Sequence, residues 1–351
     1  MVKRLFERSL FSSEPRGGFI GQFVKHRVPV LFGGMSDPFQ PAEVKHRVSA
    51  RMLDIFRTHE YPVVISTKSN LVSDPAYLSL LQELRFLVVQ FSFSTTRDDV
   101  AALLEPNCYP PSQLLHAMER LSKAGVTVTC RWQPYIPGVS EAPNEFVRRL
   151  ASTGCKHIAF EHLKTPVERY DHLWLTLVSR TGIDFNQHYK ALGAKRDGRE
   201  FVLPPKAKRA TILEVRRLTH KYKMTFGAAD NDFQYLSDGN CCCSGVDLFP
   251  GFQNWFKHQI AYAVKKAPTS EIKYGLISDE WCPEGSVDRY LNSRSRLSAR
   301  SSSEGSIREH ILQRWNDPKS PHSPAAFYGV VPTNRRTESG NLIYMRSIDT
   351  K

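Results

Sequence analysis

Short apolar runs recur along the first 165 residues, and helix-like periodicity follows each of them. Five runs rich in branched or aromatic residues predict strands over 28–32, 61–67, 86–93, 125–132 and 156–160. Each run is apolar on both sides, which is typical of parallel strands covered on both faces. The intervening periodic segments predict helices over 41–58, 74–84, 111–124, 143–152 and 166–179.

A strand about every 30 residues indicates βα units in a parallel sheet or a partial barrel. The predicted fold class is therefore α/β. Ligands of such folds bind at the carboxyl ends of the strands. All five segments that follow the strands are polar or rich in glycine: GGMSDP, STKSN, SFSTT, RWQPYIPG and FEHLK.

The pattern changes after residue 180, where basic residues accumulate. Residues 190–223 hold eleven Lys or Arg against three acids. Further periodicity predicts a helix over 206–222, a strand over 223–229, a helix over 251–265, a short helix at IREHILQRW and a terminal hairpin from AAFYGVV and NLIYMRSI. The predicted organisation is a leader (1–27), the barrel-like region (28–180), a basic α/β extension with a Cys-rich loop (181–270) and a Ser/Arg/Pro-rich tail (271–351).

Charge and cysteine content indicate the class of partner and the cellular compartment. Lys and Arg exceed Asp and Glu by 13, which favours polyanionic partners such as nucleic acid, although many basic proteins have no such partner. No apolar run is long enough for a membrane span, and the first residues lack the pattern of a signal peptide. Seven cysteines, three of them adjacent, make a poor disulfide framework and favour the reducing cytoplasm.

Five motifs in order resemble the radical S-adenosylmethionine (radical SAM) superfamily, in particular the spore photoproduct lyase subgroup. They are FGGMSDPFQPAE, ISTKSNLV, VQFSFST, LEPNCYPPSQLLHAMERLSKAGV and RWQPYIPG, within residues 28–165. The resemblance implies a partial (β/α)6 TIM-like barrel, which in this sequence is incomplete at its N-terminus, with S-adenosylmethionine at the carboxyl ends of its strands. It also implies a [4Fe–4S] cluster and reductive cleavage of S-adenosylmethionine to a 5′-deoxyadenosyl radical.

The resemblance gives cofactor roles to residues at the ends of the first two strands. Gly33, Gly34 and Met35 match the strand end at which backbone carbonyls meet the amino group of S-adenosylmethionine, and Ser36 follows them. Lys68 matches the residue that binds the methionine carboxylate. A tight turn alone would also explain two glycines, and Lys68 could equally be a surface lysine.

Later strands add further candidates. Ser92 and Ser94 alternate on one strand and share a face, from which they could reach the ribose or carboxylate, or simply bond to backbone. Arg131 and Gln133 also alternate and are candidate contacts to cofactor or substrate. For Glu105, by contrast, we expect a structural role. His162, after Glu161 at a strand end, is more typical of a hydrogen-bonded structural histidine.

The cysteines depart from the family pattern. Family members hold the cluster through CxxxCxxC upstream of the glycine pair, but this sequence has no cysteine before Cys108 and no such motif. The chain could be a fragment, a degenerate member that binds without radical chemistry, or a protein that holds a cluster elsewhere; we expect a fragment. Cys241, Cys242, Cys243 and Cys282 form the one metal-like group, either an auxiliary cluster or unpaired thiols. Zinc fits their spacing less well.

Two other functions remain open. One is a non-catalytic nucleic-acid-binding protein that uses the basic segments, with DNA or another polyanion as partner. The other is a TIM-barrel enzyme of a different kind with a hard metal at Asp230, Asp232 and Glu161. Whatever the function, a barrel without its first strand would expose a sheet edge and favour aggregation.

Overall fold

The computed structural model describes residues 2–11, 21, 24–25, 27–167, 172–239, 245–249, 259–275 and 307–347. The chain divides into two compact units. The sheet unit consists of Val30–Asp230 and Cys241–Leu248, and the terminal unit consists of Met1–Pro29, Asn231–Asn240 and Phe249–Lys351.

The sheet unit is a mixed α/β structure. Its strands are β1 (Val30–Phe32), β2 (Val63–Thr67), β3 (Leu87–Phe93), β4 (Val128–Tyr135), β5 (His157–His162), β6 (Thr165–Pro166), β7 (Lys195–Asp197), β8 (Glu200–Val202) and β9 (Thr225–Ala228). Helix α1 (Val2–Phe11) belongs to the terminal unit. The helices of the sheet unit are α2 (Ala42–His46), α3 (Val48–Thr58), α4 (Pro75–Gln82), α5 (Asp98–Leu104), α6 (Pro111–Lys123), α7 (Pro143–Ser152), α8 (His172–Thr181), α9 (Phe185–Ala191) and α10 (Pro205–Lys221).

Six parallel strands form one sheet in the order β1-β2-β3-β4-β5-β9. Strand order follows chain order without reversal, so successive right-handed crossovers leave the helices on the same face. A doubly wound sheet would reverse its order at a switch point. The sheet is open, and the prediction of a partial barrel is confirmed. Among the described residues β1 pairs with β2 alone, so its other side is an edge.

The predicted helix over 41–58 is two helices. Arg47 adopts φ +51° between α2 and α3, and its guanidinium lies 5.1 Å from the ring centroid of Tyr77. The buried carboxylate of Glu43 accepts hydrogen bonds from Ser49 N (2.8 Å), Ala50 N (3.0 Å) and the Tyr77 hydroxyl (2.8 Å). The carboxylate therefore caps α3, whose first amides have no partner within the helix.

Several elements differ from the prediction. The helix predicted over 166–179 begins at His172, after the short strand β6. The sequence pattern did not predict α1, α5, α9 or the antiparallel hairpin of β7 and β8. Helices α5 and α9 and the hairpin are short and carry a weak periodic signal, whereas α1 is amphipathic over ten residues and its periodicity was overlooked.

The two faces of the large sheet differ in polarity, whereas the sequence predicted apolar faces on both sides. The face toward the helices is apolar: the Trp132 ring stacks on Phe146 of α7 at 3.6 Å and meets Phe160 of β5 at 5.2 Å. By alternation along the strands, the other face carries polar side chains. They include Ser66, Gln90, Ser92, Thr129, Arg131, Gln133, His157 and Glu161.

The terminal unit has its own core. It contains α11 (Ile260–Lys266), β10 (Glu271–Ile272), α12 (Ile307–Asn316), β11 (Val330–Arg336) and β12 (Leu342–Arg346), with sheet order β10-β12-β11. The predicted terminal hairpin is confirmed by the antiparallel pairing of β11 and β12. Buried Trp315 donates its indole N–H to the Leu342 carbonyl at 2.8 Å. None of the described helices is long and apolar enough to cross a membrane.

Candidate functional site

The turn after β1 is fixed by close backbone packing. Gly33 adopts φ +109°, and a Cβ atom at this position would lie 2.2 Å from the carbonyl oxygen of Ser66. Asp37 holds the turn against β2, because its carboxylate accepts hydrogen bonds from Thr67 Oγ1 at 2.8 Å and from Lys68 N at 2.7 Å. Gly33 thus meets the backbone of the next strand, and Asp37 is occupied by structural contacts.

A groove of about 500 Å³ lies along this turn. Four of the predicted cofactor residues line it: Gly33, Gly34, Met35 and Ser36. Met35 is completely exposed. The volume lies within the range of roughly 300–1,000 Å³ that is usual for small-molecule pockets.

Three polar residues converge where β2 and β3 end. Lys68 forms an ion pair with Glu105, and both side chains are about three-quarters buried. Ser94 Oγ donates to the other oxygen of the same carboxylate at 3.1 Å. Lys68 and Ser94 are therefore brought together, as predicted for a shared site, but through a carboxylate of the chain itself. Any anion that binds Lys68 must compete with Glu105.

Arg131 is a different kind of cation, on the polar face of the sheet. It lies opposite Ser92 on β3 and opposite Ala159 on β5, and Gly227 of β9 pairs with Ala159. The Nε atom of Arg131 is buried and has no hydrogen-bond partner among the described residues. Gln133 follows two residues later on the same strand.

A buried charged cluster joins β5, β9 and α10. Asp230 accepts a hydrogen bond from the backbone N–H of His162, pairs with Nδ1 of its ring at 2.8 Å and pairs with Lys208 Nζ at 3.1 Å. Burial raises the pKa of Asp230, but the hydrogen bonds and charges of its partners outweigh burial and lower it from 3.8 to about 2. Asp230 is therefore a structural anion, and the expected structural role of His162 agrees with these contacts.

The described residues contain no cluster of metal-binding side chains. No group of three or more His, Cys, Asp or Glu within them could hold an ion. Burial raises the pKa of the Cys130 and Cys155 thiols, that of Cys155 to about 12, which disfavours the thiolate that metals bind. The predicted ligands Cys241, Cys242, Cys243 and Cys282 lie outside the described residues. Glu161, one ligand of the alternative hard-metal site, pairs with Lys164 at 2.7 Å.

Two of these contacts were not foreseen from the sequence. The expected structural role of Glu105 agrees with its ion pair to Lys68, although the sequence did not predict that partner. Lys208 was not singled out, although it shares the buried stripe of α10 with Ile212 and Val215. A lysine four residues before an apolar stripe lies on the same side of the helix and is therefore expected to be buried. A buried ammonium requires an anionic partner, so the sequence could have indicated an ion pair here.

No known protein family matches the sequence, and no curated protein matches it. Solved structures of spore photoproduct lyase are similar: one mutant has 16% identity and a TM-score of 0.41, with 55% of this chain and 58% of that chain covered. Another mutant, with bound AdoMet and dinucleoside spore photoproduct, has 15% identity and a TM-score of 0.43 over the same shares. SuiB from Streptococcus suis has 10% identity and a TM-score of 0.31, with 69% and 57% covered. The chain thus spans less than two thirds of the length of each.

Proposed function

We propose that this chain is a radical SAM-type protein that binds S-adenosylmethionine at the carboxyl ends of its parallel strands. The motifs FGGMSDP, ISTKSN, VQFSFST and RWQPYIPG support this proposal, because each lies at or beside the end of one of strands β1 to β4. The observation that carries it is the Nε of Arg131 on the polar face, which has no hydrogen-bond partner in the part of the chain that the structure describes.

The charge on Arg131 favours an anionic ligand. Arg131 is half-buried, and among the described residues its buried Nε has no partner to offset the lost hydration. A carboxylate accepts hydrogen bonds from the guanidinium fork and offsets that loss. Lys68 already has Glu105 as its anion. We therefore assign the methionine carboxylate to Arg131, with Lys68 as a secondary contact.

The remaining candidates suit the neutral and cationic parts of the ligand. Hydroxyl groups of Ser36 and Ser92 and the amide of Gln133 can accept from or donate to ribose and amino groups. The groove beside Gly33 and Gly34 offers space next to Ser36, whereas Lys68, Ser92, Arg131 and Gln133 are not among its lining residues. Shielding from water would strengthen each of these polar contacts.

Iron–sulfur chemistry does not fit the described residues. In the family that the motifs resemble, a [4Fe–4S] cluster supplies the electron that cleaves S-adenosylmethionine. The described cysteines offer no such ligand set, so no radical step is derived for this chain. Measurement of iron and acid-labile sulfide per chain after anaerobic reconstitution would decide whether this chain binds an iron–sulfur cluster. The control is a variant with Cys241→Ala, Cys242→Ala and Cys243→Ala.

Equilibrium dialysis against labelled S-adenosylmethionine tests the binding proposal. We expect Arg131→Met to weaken binding roughly tenfold to a hundredfold, as is typical for loss of a charge-assisted hydrogen bond. Lys68→Met should weaken it less. The matched control is Lys123→Met, which removes an exposed lysine on α6. Unchanged affinity in Arg131→Met, or no binding by the unaltered chain at millimolar ligand, would contradict the proposal.

A further inference from the structure

The groove beside Gly33 follows the open edge of the large sheet. The Phe32 ring packs against Phe56 of α3 with the ring centroids 5.9 Å apart, on the side that the helices cover. Leu31 precedes it on β1 and therefore lies on the opposite side of the sheet. Both residues line the groove, together with Val48, the first residue of α3. A groove with walls from both sides of the sheet runs along its edge.

This groove borders a cluster of exposed apolar side chains. Ten large apolar residues are exposed in the part of the chain that the structure describes, and four of them lie within residues 31–48: Leu31, Met35, Val44 and Val48. Leu31 and Val48 are each about half exposed, and both line the groove. Single exposed apolar residues are ordinary, whereas a cluster of them marks an interaction surface. The function proposed above gives no role to Leu31, Val44 or Val48.

The backbone of β1 has hydrogen-bonding groups on its open side. Val30 donates its N–H to the Pro62 carbonyl at 3.0 Å, on the side of β2. Successive residues of a strand direct their backbone groups to opposite sides, so the N–H and C=O of Leu31 are directed away from β2. Among the described residues no other strand pairs with β1. Free groups at a sheet edge are those that an added strand uses.

The exposed charges beside the groove are positive. Lys45 lies near the end of α2 and Arg51 in the first turn of α3, and both are exposed. Residues 33–53 contain only two acids, Asp37 and Glu43, and hydrogen bonds within the sheet unit occupy both carboxylates. A second copy of this edge would bring like charges together, whereas acidic side chains on a partner would be attracted.

We propose that the edge of β1 binds an extended segment of a partner protein, in which apolar residues alternate with polar ones and acidic residues flank them. The backbone of this segment pairs with Leu31, its apolar side chains contact Leu31 and Val48, and its acids face Lys45 and Arg51. In such strand addition, main-chain hydrogen bonds give affinity and alternate side chains give specificity.

Fluorescence anisotropy of the full chain with labelled synthetic peptides tests this assignment. The first peptide alternates valine with threonine between two pairs of glutamate. The second has lysine in place of each glutamate, and the third has proline in place of the central valine, which interrupts strand pairing. We expect the first peptide to bind and the other two to bind roughly fivefold more weakly or worse, because they lose charge attraction or backbone hydrogen bonds.

Variants of the chain test the contacts one by one. Leu31→Pro removes the outward N–H, and an edge strand tolerates proline at such a position. We expect this substitution to weaken binding of the acidic peptide roughly fivefold to tenfold. Val48→Ala should weaken it roughly threefold, through lost apolar contact. Lys45→Gln combined with Arg51→Gln should weaken it roughly threefold at low salt and less at high salt.

The matched control is Val331→Ala, which truncates an exposed valine of β11 in the terminal unit. Equal affinity for the three peptides, equal losses in Val48→Ala and Val331→Ala, or no binding of the acidic peptide at millimolar concentration would overturn the proposal. Self-association of the unaltered chain that Leu31→Pro abolishes would also overturn it, because the edge would then belong to a second copy. Thermal unfolding verifies that each variant is folded, and Leu31→Ala replaces Leu31→Pro if the latter is not.

The test is independent of the function proposed above. Peptide binding is measured without S-adenosylmethionine, and neither Leu31 nor Val48 has a place in the proposed cofactor site. Equilibrium dialysis of Val48→Ala against labelled S-adenosylmethionine should therefore give the affinity of the unaltered chain, whichever way the peptide experiment turns out.

Discussion

Gly33 shows how one residue fixes the geometry of the candidate site. The carbonyl oxygen of Ser66 lies 2.2 Å from the position of a Cβ atom on Gly33, and Pro38 Cδ lies 2.9 Å from it. The backbone of Gly33 also has a positive φ that residues with a side chain rarely adopt. Gly34 differs, because its nearest neighbour would be the flexible Leu31 side chain at 3.3 Å.

Substitution of this glycine should therefore destabilise the sheet unit. We expect Gly33→Ala to lower the free energy of unfolding by at least about 2 kcal/mol, through backbone strain and the clash with Ser66. Urea unfolding at pH 7 measures the effect. Gly34→Ala serves as the control and should cost less than about 1 kcal/mol. Equal effects of the two substitutions would show that the carbonyl approach is not the reason for Gly33.

Arg131 and Lys68 differ in the partners that the fold gives them. Both are cations near strand ends, and the motifs alone give Lys68 the carboxylate. Our proposal reverses that ranking, because Lys68 pairs with Glu105 and because the Nε of Arg131 has no partner within the described ranges. The sequence could not decide between them, because Glu105 is 37 residues from Lys68 along the chain.

At the scale of elements, one carboxylate ties two strands and a helix together. Asp230 follows β9, His162 ends β5, and Lys208 lies in the first turn of α10. All three side chains are almost fully buried. Removal of the carboxylate would leave a buried ammonium without its anion, which is a costly arrangement.

We expect Asp230→Asn to lower the free energy of unfolding at pH 7 by about 3 kcal/mol. The folded pKa of about 2 lies below the ordinary 3.8. The stabilisation is therefore complete above about pH 5 and is lost as the pH falls through 3.8 toward 2. This difference corresponds to about 2 kcal/mol. Denaturant unfolding of both proteins between pH 3 and pH 7 should show the gap narrowing in acid.

A gap between the unaltered chain and Asp230→Asn that stays constant over this pH range would contradict the electrostatic explanation. Asp197→Asn is the matched control, since Asp197 is an exposed residue of β7. Its substitution should change the free energy of unfolding by no more than about 0.5 kcal/mol.

At the scale of the whole molecule, the chain has an excess of 13 positive charges. This excess is the reason to test the alternative that the protein binds nucleic acid. The hairpin of β7 and β8 carries Lys195, Arg196 and Arg199, all of them exposed. Long-range attraction to phosphate depends on such exposed cations and falls as salt is added.

If the basic segments bind nucleic acid, duplex DNA should bind without sequence preference at low salt, with log K falling linearly with log salt. Substitution of Lys195, Arg196 and Arg199 by Gln should reduce the slope by about two to three if this hairpin contacts the phosphates. Fluorescence anisotropy at several salt concentrations measures it. The control replaces Lys45, Arg51 and Lys123, which are exposed elsewhere in the sheet unit. Equal slopes in both triple variants would exclude the hairpin as the contact surface.

The sequence by itself determined the strands of the large sheet and their chain order, together with the position of the motifs at the strand ends. These features follow from local periodicity and turn residues, which are readable within a few positions. It did not determine the break at Arg47, because the capping contacts of Glu43 include Tyr77 from another helix.

Only the tertiary structure decided which polar groups have partners. The pairs of Lys68 with Glu105 and of His162 with Asp230 join residues 37 and 68 positions apart. The difference between the polar and apolar faces depended on strand register and on the side that the helices cover. Such pairings arise from register and packing across the whole unit, and the local pattern of the chain contains no record of them.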